Sequence, residues 1–336
     1  MSRPRALQAV VAVGGGNGLP VVLTGLRRWL PADCRITAIV TAADDGGSSG
    51  VLREQYDVLP PGDIRNCLIA LSRVGPEVSA ALQYRFDGGA GPGHPVGNLL
   101  LAALDMVTSD ELTAIRLAAA LLGVRDVILP STTRRIHLVA ELADGRQVRG
   151  ESKICRGGAA IVRVGVDPPD VAPSPEVVKA LQEADAVILG PGSLYTSVLA
   201  TLAVPGIVQA IVAARGPRIF VCNLMTEPGE TDGYGVAAHL RALAAHGLPP
   251  ESLDYVVVNT GPIPATLRAR YATAGAEPVT VDREPSVPGP VVVTGAFVAA
   301  SCALQHDSNT LGRLLGELAT ASSRRAPAAT VMSGAG

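Results

Sequence analysis

Aromatic side chains are scarce in this chain, 3% of its residues, with one Trp and three Phe. That argues against a stacking platform for single-stranded nucleic acid. Charge is balanced and thin: 28 Lys and Arg stand against 30 Asp and Glu, a net charge of −2 with no basic stripe. Nucleic acid and anionic membrane are therefore poor candidates as partners. The cysteines, Cys34, Cys67, Cys155, Cys222 and Cys302, are odd in number and far apart, with no C-x-x-C. This usage argues against a zinc site or a disulfide frame and fits reduced thiols in a cytoplasmic protein. The five histidines are equally scattered, which argues against a His-based metal site. No stretch reaches the roughly 18 apolar residues of a membrane span. The apolar run behind the basic start is broken at Gly14, too early for a signal-peptide core and suited to a first strand.

What remains is a chain of 336 residues, 48% hydrophobic, long enough for one large α/β domain or two smaller ones. Apolar strand-like runs alternate with helical patterns, which predicts a mostly parallel sheet with helices on both faces. We read one α/β domain over 1–321, with residues 322–336 as an Ala/Ser/Pro/Gly-rich disordered tail. Residues 132–154 read as a β-hairpin addition turning at Asp144-Gly145. Helices are expected at 63–71 with Asp63 as N-cap, at 95–107 and at 109–122 with Ser109 opening the last.

Four strand ends carry small or polar loops. Gln8 to Val13 leads into Gly14-Gly15-Gly16-Asn17-Gly18, and a helical pattern follows. Strand, glycine turn and helix together aim backbone N–H groups at a phosphate. The spacing is not G-x-G-x-x-G, because Leu19 stands where the third glycine would fall, and there is no G-K-[ST]. Ile36 to Thr41 leads into Asp44-Asp45 and then Gly46-Gly47-Ser48-Ser49-Gly50. Two adjacent carboxylates repel each other and call for a cation, a ligand hydroxyl or a nearby Arg. Alone, this segment fits an exposed turn as well as a ligand loop. The third loop runs from Gly190 to Ser197 and offers Ser193, Leu194, Thr196, Ser197 and backbone amides as a neutral diphosphate cradle. An ordinary turn at Gly190-Pro191-Gly192 fits as well. The fourth, 223–235, begins with Asn223 and includes Thr226. In a parallel sheet all four loops open on one edge.

Eight pieces in order resemble the YvcK-type gluconeogenesis factor family, relatives of the phospholactate transferase of deazaflavin coenzyme synthesis. They are VAVGGGNGLP, TAADDGGSSGVLRE, LPPGDIRNCLIALS, GHPVGNLLLAAL, LADGRQVRGES, LGPGSLYTSVLATL, CNLMTEPGETDGYG and VNTGPIP, spread over almost the whole chain. The resemblance implies a Rossmann-like fold that binds UDP-sugars, notably UDP-N-acetylglucosamine. It also implies a role in cell shape and cell-wall precursor supply during gluconeogenic growth. By motif match, Asp44 and Asp45 would take a cation (Mg²⁺) or acceptor position, while Gly14 to Gly18 and Gly190 to Ser197 would line the nucleotide. A Ser/Thr kinase, cell-wall synthesis proteins and a second copy of the chain join the UDP-sugar as partners to consider. Two departures stand out: Asn17 where the family often has threonine, and Gln305 where a basic residue often precedes the late His-Asp.

Three functions compete. One is a nucleotide-sugar-binding regulator without turnover, favoured by the lack of a nucleophile–base pair in the sequence. The second is a Mg²⁺-dependent phosphotransferase in which Asp44 and Asp45 hold the cation and Arg53 or Arg65 offsets charge. The third, a dehydrogenase, lacks the glycine fingerprint.

Overall fold

The computed structural model of the chain describes residues 7–86, 93–282, 289–301 and 303–321, so Cys302 and the 322–336 tail lie outside it. Seven strands form one sheet in the order β10-β9-β8-β7-β1-β2-β3. In chain order these are β1 (Ala9–Gly14), β2 (Arg35–Val40), β3 (Val127–Pro130), β7 (Ala186–Leu189), β8 (Arg218–Val221), β9 (Tyr255–Asn259) and β10 (Val291–Gly295). Every pairing in it is parallel, in keeping with the expected Rossmann-like architecture.

The central strands are apolar throughout because both of their faces are covered. In β1, Val11 and Val13 join one core, and Val10 and Ala12 join the core on the opposite face. The first core takes in Leu194, Leu199 and Leu243, and the second takes in Leu19, Leu23, Leu26 and Leu311 from the helices.

The chain runs outward from β1 to β2 and β3, leaves the sheet, and returns at β7 on the other side of β1. The sheet therefore reverses its winding between β1 and β7, the position at which open α/β sheets receive ligands.

Between β3 and β7 lies a second sheet of three antiparallel strands, β4 (His137–Leu142), β5 (Gln147–Arg149) and β6 (Ile161–Asp167), in the order β5-β4-β6. The expected hairpin is β4 with β5; β6 is an added strand that the sequence did not announce. Three helices near the start shape the site: α1 (Gly18–Trp29), α2 (Gly47–Tyr56) and α3 (Pro61–Leu71). Two expectations about helix ends are corrected. Pro60 stands at the N-cap of α3, so Asp63 lies inside its first turn and its carboxylate is free to reach elsewhere. Ser109 adopts a left-handed conformation, and Asp110 caps the following helix by accepting from the Thr113 amide at 2.8 Å. The Gly/Ser run expected as loop also becomes the first turn of α2 from Gly47 onward.

Candidate functional site

The turns after β1 and β7 meet across the reversal point. The Gly190 amide donates to Val13 O at 2.9 Å. A Cβ on Gly18 would stand 2.2 Å from the Pro191 carbonyl oxygen, so only glycine permits this approach. Their meeting opens a cleft of about 460 Å³ lined by Gly16, Asn17, Gly18, Gly192, Ser193, Asn223 and Thr226 among the expected residues. Its other wall brings Met225 and Glu227 from the fourth loop, Gln305 and His306 from the late segment where the sequence departs from the family, and Tyr271, which the sequence reading did not place at the site.

Several expected donors already have partners. The Gly192 amide donates to Asn223 Oδ1 at 3.1 Å, and the Gly16 amide donates to Asp63 Oδ2 at 2.8 Å. Thr226 braces a neighbouring segment: its hydroxyl accepts from the Glu277 amide at 2.9 Å while its own amide donates to Glu277 O at 2.7 Å. The segment after Ser193 is a π-helical turn, Leu194–Leu199, closed by the Val198 amide on Ser193 O at 3.1 Å. Within it Leu194 is packed in the core, and the Thr196 hydroxyl donates to the buried Glu230 at 2.7 Å. The Ser197 hydroxyl lies 3.2 Å from where a Cβ on Gly15 would stand, beneath the first glycine turn. Gly14, Gly15, Gly190, Leu194, Thr196 and Ser197 thus support the cleft and do not line it.

The cleft is neutral to acidic. Burial, then the charge of Glu230, pushes Glu227 up to about 7 against a hydrogen bond from Ser193. Burial holds His306 down to about 4, so its ring is uncharged at neutral pH.

Beside the cleft, at the end of β2, carboxylates gather. Asp44 Oδ1 accepts from the Gly46 amide at 2.9 Å, and burial raises its pKa. Burial, with Asp44 adding, brings Asp63 up to about 6. Glu151, from the turn after β5, is pushed to about 9 by burial and then by Asp44, Asp63 and Asp45. Its Oε2 is buried without a hydrogen-bond partner. Asp45 turns away from this group. Its Oδ1 accepts from the Ser152 amide at 2.8 Å, and its Oδ2 packs on Gly150, where a Cβ would come within 2.7 Å. Asp45 therefore ties the acidic loop to the small sheet, which leaves Asp44 with Asp63, not with Asp45, facing the site.

Of the two arginines expected to offset charge, Arg53 is buried and donates to the carbonyls of Ala43, Asp44 and Ile136. Its guanidinium is spent on backbone. Arg65 stands on α3 and donates to Asn98 Oδ1 at 2.6 Å and Asn66 Oδ1 at 2.8 Å. Asn98 in turn donates to Ser48 Oγ at 3.0 Å, and Ser48 Oγ lies 2.8 Å from His94 Nδ1. The sequence showed no nucleophile–base pair; the fold makes a Ser–His contact from residues on separate elements. Among the described residues no three His, Cys, Asp or Glu side chains converge as a metal cage.

Comparison with known proteins agrees with this architecture. Residues 10–297 match the family model described as 2-phospho-L-lactate transferase CofD. The gluconeogenesis factor of Bacillus subtilis is 42% identical over 312 residues, 92% of this chain and 97% of that protein. The gluconeogenesis factor of Halalkalibacterium halodurans is 47% identical over 277 residues, 81% of this chain and 84% of that protein. A longer relative from Nostoc sp. is 47% identical over 276 residues, and there the chain spans 60% of the relative's length. The crystal structure of a member of the UPF0052 family from Bacillus halodurans superposes with a TM-score of 0.85 at 41% identity, covering 92% of this chain and 99% of that one. The chain belongs to the CofD family, among its gluconeogenesis-factor members.

Proposed function

We propose that the cleft between β1, β7 and β8 binds a nucleotide sugar of the UDP-N-acetylglucosamine type. In this reading the protein is a binding factor that supports cell shape and cell-wall precursor supply during gluconeogenic growth. The observation that carries it is the meeting of the Gly16–Gly18 and Gly192–Ser193 turns at the sheet's reversal point, where they line one cleft. The N-terminus of α1 opens there with no side-chain cap and no acidic residue in its first turn, so its backbone amides suit a diphosphate. Asn223 and Glu227 offer acceptors for ribose or sugar hydroxyls. The relatives named gluconeogenesis factors support the physiological setting.

Thermal unfolding tests the ligand class. A ligand bound only by the folded chain raises Tm with concentration. UDP-N-acetylglucosamine at millimolar level should do so, and NAD should not. The reverse order would end this reading.

A second reading, a transferase related to the 2-phospho-L-lactate enzymes, draws on the Ser48–His94 contact and on Asp44 beside Asp63. A Mg²⁺ ion there would neutralise phosphoryl charge, with Asp44 and Asp63 supplying two carboxylates and the ligand's phosphates completing the shell. Incubation with UDP-N-acetylglucosamine and Mg²⁺ separates the readings: formation of UDP, UMP or sugar phosphate above an Asp44→Asn control supports the transferase.

A further inference from the structure

Glu230 is 5% exposed, and its carboxylate accepts three hydrogen bonds from two distant segments of the chain. Its Oε2 takes the Tyr195 amide at 3.1 Å. Its Oε1 takes the Thr196 hydroxyl at 2.7 Å and the Cys155 thiol at 3.2 Å. Among the described residues no Lys or Arg forms an ion pair with it. Burying a carboxylate without a cation is costly, and an apolar residue of similar size often serves stability as well or better. What a carboxylate supplies here is acceptors on both of its oxygens.

Those acceptors hold the turn that follows β7. Tyr195 and Thr196 lie at the start of the π-helical turn behind Gly192 and Ser193, where backbone donors have no partner inside the helix. The loop after β8 grips the same turn at two further points. Asn223 Oδ1 accepts from the Gly192 amide at 3.1 Å, and Ser193 hydrogen-bonds the Glu227 carboxyl. Asn223 and Glu227 line the cleft, where a ligand competes for the same two donors, whereas Glu230 does not line it. The Glu230 contact is therefore the one that a bound ligand leaves intact.

We propose that Glu230 is a positioning residue for the cleft: it anchors the turn from behind, so that Gly192 and Ser193 keep their place while a phosphate takes over the donors now held by Asn223 and Glu227. This rests on the reading of the cleft as a diphosphate site. The charge of Glu230 acts on the same cleft a second time. After burial, it is the influence that brings Glu227 up to about 7, and a Glu227 that holds its proton sets no charge against a diphosphate. Glu230 and Cys155 are the titratable groups near Glu227 from behind the turn, and Tyr271 and His306 share the cleft with it.

The test measures UDP-N-acetylglucosamine affinity across pH and, without ligand, amide hydrogen exchange over residues 193–199. Glu230→Ala should exchange faster over this segment and bind about tenfold more weakly. Glu230→Gln keeps the anchor, since its carbonyl accepts from the Tyr195 amide and its NH₂ donates to the Thr196 hydroxyl, so its exchange should match the parent. Its affinity should equal the parent's on the acid side and fall off at a lower pH, because Glu227 loses its proton sooner without the neighbouring charge. A merely structural Glu230 would not move that pH profile. Thr196→Val removes one of the three bonds at nearly unchanged shape and stands in where Glu230→Ala fails to fold; it should shift exchange and affinity the same way by a smaller factor. The proposal is overturned if the alanine or valine variant exchanges and binds like the parent, or if the Glu230→Gln profile falls off at the parent's pH. A parent that binds no UDP-N-acetylglucosamine overturns the reading of the cleft instead, and faster exchange in Glu230→Ala then shows that the anchor stands.

Discussion

Asp63 Oδ2 accepts the Gly16 amide at 2.8 Å, so α3 holds the glycine turn that follows β1, across 47 residues of chain. The same oxygen would lie 2.4 Å from a Cβ on Gly15, which leaves the turn no room for a side chain there. Asp63→Ala leaves the part-buried Gly16 amide without its acceptor and should lower stability by about 1 kcal/mol, the net worth of a typical hydrogen bond, since water in the cleft can reach the amide. Asp63→Asn keeps an acceptor oxygen and should lose much less. Urea denaturation of both variants measures the difference; equal losses would mean that packing, not the hydrogen bond, fixes the turn.

His306 gives an acid limit to stability. Its ring is buried in the cleft wall with a hydrogen bond to the Cys222 backbone, and burial holds its pKa down to about 4 from the usual 6.5. The unfolded chain therefore takes up a proton before the folded one does. The stability tied to the neutral ring is complete above pH 6.5 and is lost as pH falls toward 4. His306→Gln cannot be protonated. Its Tm relative to the parent should rise steadily across that window, and a pH-independent difference would contradict the assignment.

Gly18 tests the contact between the two turns. A valine there would drive its Cβ to 2.2 Å from the Pro191 carbonyl oxygen, backbone against side chain with no flexible partner to give way. Gly18→Val should cost about 1–3 kcal/mol as an overpacked contact and should reduce nucleotide affinity, because the cleft is built from this junction. Asn17→Ala, on the same turn but without that clash, should stay close to the parent in stability. Calorimetric unfolding with and without UDP reads both effects.

Much of the sheet was legible because Val- and Ile-rich runs end at turn formers, and β9 occupies Tyr255–Asn259 as its composition predicts. β6 was hidden by Gly165 and Arg163, which break its pattern of apolar residues, and β3 by Pro130 at its end, since proline argues against a strand. The glycine turns were legible since turn chemistry is local. Helix α2 was missed because Gly47 and Gly50 disfavour helix; Gly50 is required there, as its Cβ would stand 2.1 Å from Asp45 O. The site's partners were not legible. Asp63, His94 and Glu151 reach Gly16, Ser48 and the Asp44 group from distant parts of the chain, and no spacing rule connects such residues.

Glu151 yields the sharpest consequence of that assembly. Its carboxyl lies near Asp44 and Asp63 with Oε2 buried and unpartnered, and burial first, then their charges, pushes its pKa up to about 9 from the usual 4.5. A carboxyl raised this way binds its proton more tightly in the folded state. Folding is therefore favoured at low pH, and stability falls as pH rises from 4.5 toward 9. Glu151→Gln has nearly the same shape and needs no proton to remain neutral. The variant should match the parent near pH 4.5 and become progressively more stable as pH approaches 9. Glu151→Ala, which also removes packing, should show the same pH trend from a lower starting point. Tm measured across this range decides the matter. A Glu151→Gln curve parallel to the parent's would show that the carboxyl is already ionised and held by the solvent or by a cation.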